Sequence, residues 1–235
     1  MAEPFYIGGY WAQRPESVEA CADRLHTFLT ALARAHPLLG TWFRTGYSRR
    51  AALRHQVEPT PEALRTLLLA GRNRRDDDRS VIEELGFSTS MWNGNDIAVG
   101  LMVHVGMYPA VSLPNSVVMN LPKPEGAALA LYTPAVAGQI VEAVVSAWDA
   151  TWATWSSAGL RHRQGAAIAD IVVGWQTYLA AGQAVRDCPL PAGVTTDPLG
   201  SGLRLTIGKD PGSPPEALVV AVRGALDDLV HWWAT

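Results

Sequence analysis

Asp76-Asp77-Asp78 is the densest run of chemically capable side chains in the sequence. Three adjacent carboxylates could hold a divalent cation, but Mg²⁺ and Ca²⁺ need oxygens arranged around the ion. An EF-hand loop starting at Asp76 would put Gly at position 81, where Val81 stands. Arg72, Arg74, Arg75 and Arg79 flank the run. Such mixed charge ordinarily makes a solvated, self-neutralising loop. The alternative is a protein contact, because Arg and carboxylates form directional, charge-assisted hydrogen bonds. Trp92, beside Asn93-Gly94-Asn95-Asp96, is the second group. An aromatic at a hairpin end more often fills a core. Its alternative role is an interface anchor.

Other chemistries find little support. The six His, at positions 26, 36, 55, 104, 162 and 231, are scattered and form no His-Glu-x-x-His zinc motif. Gly200-Ser201-Gly202 precedes a strand, whereas a dinucleotide-binding glycine loop follows one. There is no P-loop and no Gly-x-Ser-x-Gly elbow. Cys21 and Cys188 are too isolated for a metal signature or a disulfide framework. Trp148, Trp152 and Trp155 suit a core better than a cofactor box. In Gly174-Trp175-Gln176-Thr177-Tyr178, a buried Gln or Thr would need a hydrogen-bond partner, a weak hint of a pocket. No metal or cofactor is expected.

The elements that would position these residues are legible from periodicity. Phe5 to Trp11 reads as a strand, with Gly8 and Gly9 suggesting a bulge or a close approach. Ser17 caps a helix over 16–35, whose apolar stripe is Val18, Cys21, Ala22, Leu25, Phe28, Leu29 and Leu32. Leu38 to Tyr47, with Trp42-Phe43, reads as a short turn packed on the core, and Ser48 to Arg54 as a helical turn. Pro61 opens a helix over 62–71 that Gly71 closes. Phe87 to Trp92 and Ile97 to Tyr108 flank Asn93-Gly94, a hairpin signal. Ser116 to Leu121 gives a third strand and Pro134 to Trp148 a helix. Thr151–Ser157, Ile171–Leu179 and Leu203–Ile207 give further strands. After Pro214-Pro215, a last helix uses Leu218, Val222, Ala225, Leu226, Leu229 and Trp233. Strand runs between helices predict an α+β fold with a mainly antiparallel sheet. The short connections predict a single domain over 1–235.

Composition narrows the function classes. Hydrophobic residues make up 48% of 235, enough for a substantial core. Residues 1–79 carry 12 Arg against 9 acids; residues 80–235 carry 7 Lys and Arg against 13 acids. An acidic face of that kind steers a basic partner, or is ordinary surface variation. The net charge of −3 disfavours non-specific nucleic-acid binding. No apolar stretch reaches the roughly 18 residues of a membrane span. Nor does the N-terminus read as a signal peptide. A soluble, cytoplasmic protein is expected, with no membrane or nucleic-acid partner.

Several blocks, in order, resemble the Immunity protein 52 family. They are Tyr6-Ile7-Gly8-Gly9-Tyr10-Trp11 with Arg14, Cys21-Ala22, Trp42-Phe43, Gly71-Arg72-Asn73-Arg74, Leu85-Gly86-Phe87, Trp92-Asn93, and Gly174-Trp175 through Tyr178-Leu179. The resemblance implies an antidote encoded beside a bacterial polymorphic toxin, commonly a nuclease-type toxin, which it neutralises by binding. The competing expectation is a small cytosolic enzyme with an unrecognised active site. For the antidote, loop 72–79 and the hairpin end are the expected contacts: Asp76, Asp77, Asp78, Trp92, Asn93 and Asp96. Carboxylates there would fill a basic substrate cleft in place of phosphates.

Overall fold

The computed structural model describes residues 4–166, 170–180, 185 and 187–226. Its elements run β1 (Phe5–Trp11), α1 (Val18–Ala35), β2 (Trp42–Arg44), α2 (Arg49–Ala52), β3 (Gln56–Val57), α3 (Pro61–Ala70), β4 (Phe87–Trp92), β5 (Gly100–Val105), β6 (Asn115–Leu121), α4 (Pro134–Trp148), β7 (Trp152–Ser157), α5 (Ala158–Arg163), β8 (Gln176–Leu179), β9 (Val194–Leu199), β10 (Gly202–Ile207) and α6 (Glu216–Ala225). The fold is α+β, and every strand pair with an established register is antiparallel. The chain divides into two units, Ala12–Met119 and Met1–Trp11 together with Asn120–Thr235.

In Ala12–Met119 the strands lie in the order β3-β2-β4-β5-β6. The Ser17 hydroxyl accepts the Ala20 N–H at 3.2 Å and starts α1. Thr60 does the same for α3 at 3.3 Å, with Pro61 in the first turn. The α1 stripe of Cys21, Leu25, Phe28 and Leu32 is fully buried; α1 packs on α3, whose Leu64 and Leu68 are fully buried too. Along β4 and β5, Phe87, Met91, Leu101, Val103 and Val105 are buried. The alternate residues make a more open face. There Ser88 sits opposite His104, Ser90 opposite Met102, and Trp92 between Phe43 and Gly100. The segment expected to be a turn, Leu38–Tyr47, contains β2, and β3 follows unannounced. At three and two residues, neither is long enough to show a period of two.

In the other unit the order is β1-β7-β8-β10-β9. One face of this sheet carries α4, which packs on β1, β7 and β8. The other face joins Trp152, Leu179, Leu203 and Leu205 to Val219 and Val222 of α6 in one core. Cover on both faces explains why all six residues of β7 are buried. Trp148, Trp152 and Trp155 are core residues, as expected. Gly8 makes no bulge, since β1 pairs β7 without interruption. Instead the Tyr10 ring crosses it, 2.5 Å from where a Cβ would stand, and stacks on Trp152 at 4.1 Å. The strand expected over Ile171–Leu179 is confined to Gln176–Leu179. Gly200-Ser201 turns β9 into β10, so the glycine run follows a strand as well as preceding one; no helix begins after it. Leu229 and Trp233 lie outside the described residues.

Candidate functional site

Residues 73–82 form a small hairpin. Arg74 bridges Val81, Arg75 N–H donates to Ser80 O at 2.9 Å, and Ile82 N–H donates to Asn73 O at 2.9 Å. Asp76, Asp77, Asp78 and Arg79 make its exposed tip, with Arg79 left-handed at φ 60°. Asp77 accepts the Asp78 N–H at 2.8 Å, and Asp78 accepts the Ser80 N–H at 2.9 Å. Hydrogen bonds from Ser80 hold the Asp78 carboxyl below the usual carboxylate range. Two of the flanking arginines are engaged away from the carboxylates: Arg72 pairs with Glu83 and lies 5.8 Å from the Phe87 ring, and Arg74 donates to Arg79 O at 3.0 Å. Among the described residues no salt bridge joins these three aspartates to an arginine. The charge run is therefore not self-neutralising by contact. Among the described residues no three His, Cys, Asp or Glu are placed to hold a metal ion.

Trp92 ends β4 half-buried, its ring 6.3 Å from that of Phe43. The Arg49 guanidinium lies 5.9 Å from the Trp92 ring and pairs with Asp96 at 2.5 Å. Asp96 is 84% exposed and Arg49 56%, so the pair adds little to stability. Trp92 and Arg49, with Thr45, Gly46, Ser48 and Ala52, line a groove of about 280 Å³. Arg49 was not among the expected contacts. Its signal is weak: Ser48 capping a helix of four residues, in a stretch from Arg44 to Val57 with four arginines and no acid.

Asn93 is placed differently from its neighbours. It is buried, and its side chain organises the turn. The amide donates to Ile97 O at 2.9 Å and Leu38 O at 3.2 Å; its oxygen accepts the Val99 N–H at 3.0 Å. The connection from β4 to β5 spans residues 93–99, longer than the tight Asn-Gly turn the sequence suggests. Gly94 has φ 71°, and the Phe43 ring occupies the space a Cβ would need. Asn93 thus positions Trp92 and Asp96 and does not itself face outward.

The charged tip and the Trp92 cluster flank opposite ends of β4. The Gly71 carbonyl before the charged hairpin accepts the Ser88 N–H near the start of the strand, and Trp92 is its last residue. The five steps between its six residues, at about 3.4 Å each, separate those strand ends by roughly 17 Å. An interface of standard size, about 800 Å² per partner, has room for groups that far apart.

Thr177 Oγ1 accepts the Gly174 N–H at 3.0 Å, and Gln176 is buried with no partner for its side-chain oxygen among the described residues. Cys21 is fully buried, and that burial pushes its thiol up to about 12. His104 is held below the ordinary histidine range by desolvation. No single helix among the described residues is long and apolar enough to cross a membrane.

No curated protein sequence matches the chain. Among solved structures, the Pseudomonas aeruginosa T6SS protein PA0821 superposes with a TM-score of 0.53 at 13% identity, covering 97% of this chain and 73% of that one. At that identity the likeness is one of fold. The family model of Immunity protein 52 matches residues 3–222, which include all the motif blocks from Tyr6 to Leu179. The chain belongs to the Immunity protein 52 family.

Proposed function

We propose that this protein is the antidote to a toxin encoded beside it, and that it acts in the cytoplasm by binding the toxin, without turnover. The observation that carries the reading is the family match across residues 3–222. The toxin is proposed to be a nuclease-type effector. The hairpin tip supports that choice, because its three exposed carboxylates have no salt-bridge partner among the described residues and would compete with phosphates for a basic cleft. Trp92 and Asp96 are the second proposed contact, with Asn93 holding their loop. Co-expression tests the proposal. The neighbouring toxin gene should arrest growth alone, and this gene should restore it. Arrest that persists while both proteins are soluble would refute it.

A further inference from the structure

The groove beside Trp92 combines aromatic and cationic side chains on one open face. Trp92 and Phe43 present aromatic surface on the open face of β2 and β4. Tyr47 stands fully exposed beside it in the chain, just before α2. Arg49 is held over the indole by Asp96, and Arg50 is exposed on the same short helix. Aromatic and Arg side chains together are the composition of interface hot spots. The local charge is mainly positive: from Arg44 to Val57 there are four arginines and no acid, and among the described residues only Asp96 forms a salt bridge with one of them. A second copy docking groove to groove would bring arginines against arginines, so that pairing is disfavoured.

We infer that this groove docks an acidic segment of the toxin. An apolar side chain of that segment enters the space between Trp92 and α2. One of its carboxylates takes Arg49, which frees Asp96 to accept from a donor group of the toxin beside that segment, and others face Arg50. The chemistry is opposite in sign to that of the Asp76–Asp78 tip. Two unlike patches at opposite ends of β4 would fix the orientation of a toxin that carries both signs of charge. This inference rests on the antidote reading.

The test uses the purified neighbouring toxin and the full-length protein, with association followed at low and high salt. Reversing Arg49→Glu with Arg50→Glu changes two exposed side chains and should leave the melting temperature unchanged. It should slow association about tenfold at low salt and flatten the salt dependence. Trp92→Ala should weaken affinity by about thirtyfold. Because that change removes half-buried aromatic surface, Tyr47→Ala serves as a second aromatic probe and should weaken binding while leaving stability unchanged. If the wild type binds and both the double reversal and Tyr47→Ala bind as it does, the groove is not the docking site and the antidote reading stands. Impairment only when Asp76, Asp77 and Asp78 are changed to Ala would overturn the groove in the same way. A wild type that does not bind the toxin overturns the antidote reading and the groove with it. A concentration-dependent dimer broken by Tyr47→Glu would assign the groove to a second copy and overturn it as well.

Discussion

Asn93→Ala should cost about 3 kcal/mol of stability, and the sum can be followed bond by bond. The side chain makes hydrogen bonds of 2.9 Å to Ile97 O, 3.0 Å from Val99 N–H and 3.2 Å to Leu38 O. A hydrogen bond of this kind contributes about 1 kcal/mol net, and more where its loss strands a buried partner. Val99 is completely buried, so its N–H would be stranded. The loss is a large part of a typical stability of about 5–15 kcal/mol, yet leaves the protein folded. Guanidinium unfolding followed by Trp fluorescence measures it, and amide exchange at Val99 localises it. Asn93→Asp separates geometry from charge. Its carboxylate can accept from Val99 but faces the Leu38 and Ile97 carbonyls. Burial and those carbonyls should raise its folded-state pKa above the unfolded value of about 3.9. Its variant is then best tolerated below that value and loses stability as pH rises through the folded-state pKa. A loss under about 1 kcal/mol for Asn93→Ala, with Val99 still protected, would refute the reasoning.

Other expectations are simpler. Gly94→Ala should destabilise by about 2 kcal/mol, because a positive φ and a displaced Phe43 ring act together; an unchanged melting temperature would contradict this. With its thiol pushed up to about 12, Cys21 should resist alkylation at pH 8 in the native protein and react once guanidinium is added, as mass spectrometry would show. Because the folded-state pKa of His104 is lowered, the unfolded chain binds its proton more readily. Stability should fall as pH drops below about 6.5, and His104→Gln should flatten that part of the profile.

The legible parts of the fold were those with length and period. α1, α3 and α4 announce themselves through capping residues and stripes of buried residues, and α3 and α4 also through first-turn prolines. β9 could not be seen: Val194–Leu199 is an exposed edge strand with Pro198 inside it, so it has neither alternation nor a typical strand composition. Ile171–Trp175 misled in the opposite direction. It is an apolar run buried beside the sheet, and only Trp175 reaches the hydrogen-bond ladder, with Trp155 and Ile207. At the candidate site, the sequence picked out Trp92 and Asp96 because they adjoin a recognisable turn. It missed Arg49 because the contact spans 47 residues of chain. It took Asn93 for a surface group because a polar residue in a turn reads as exposed. Only the fold shows the carbonyls of Leu38 and Ile97 and the amide of Val99 converging on it.

The central claim is that the protein neutralises its toxin by binding and not by turnover. Titrating a fixed amount of active toxin with this protein, and reading residual toxin activity at several incubation times, tests it directly. Binding predicts a linear fall to a fixed molar equivalence that does not move with time, with activity recovered when the complex is dissociated in denaturant and the toxin is refolded alone. Substoichiometric inactivation that deepens with time and survives removal of this protein would show turnover and contradict the account.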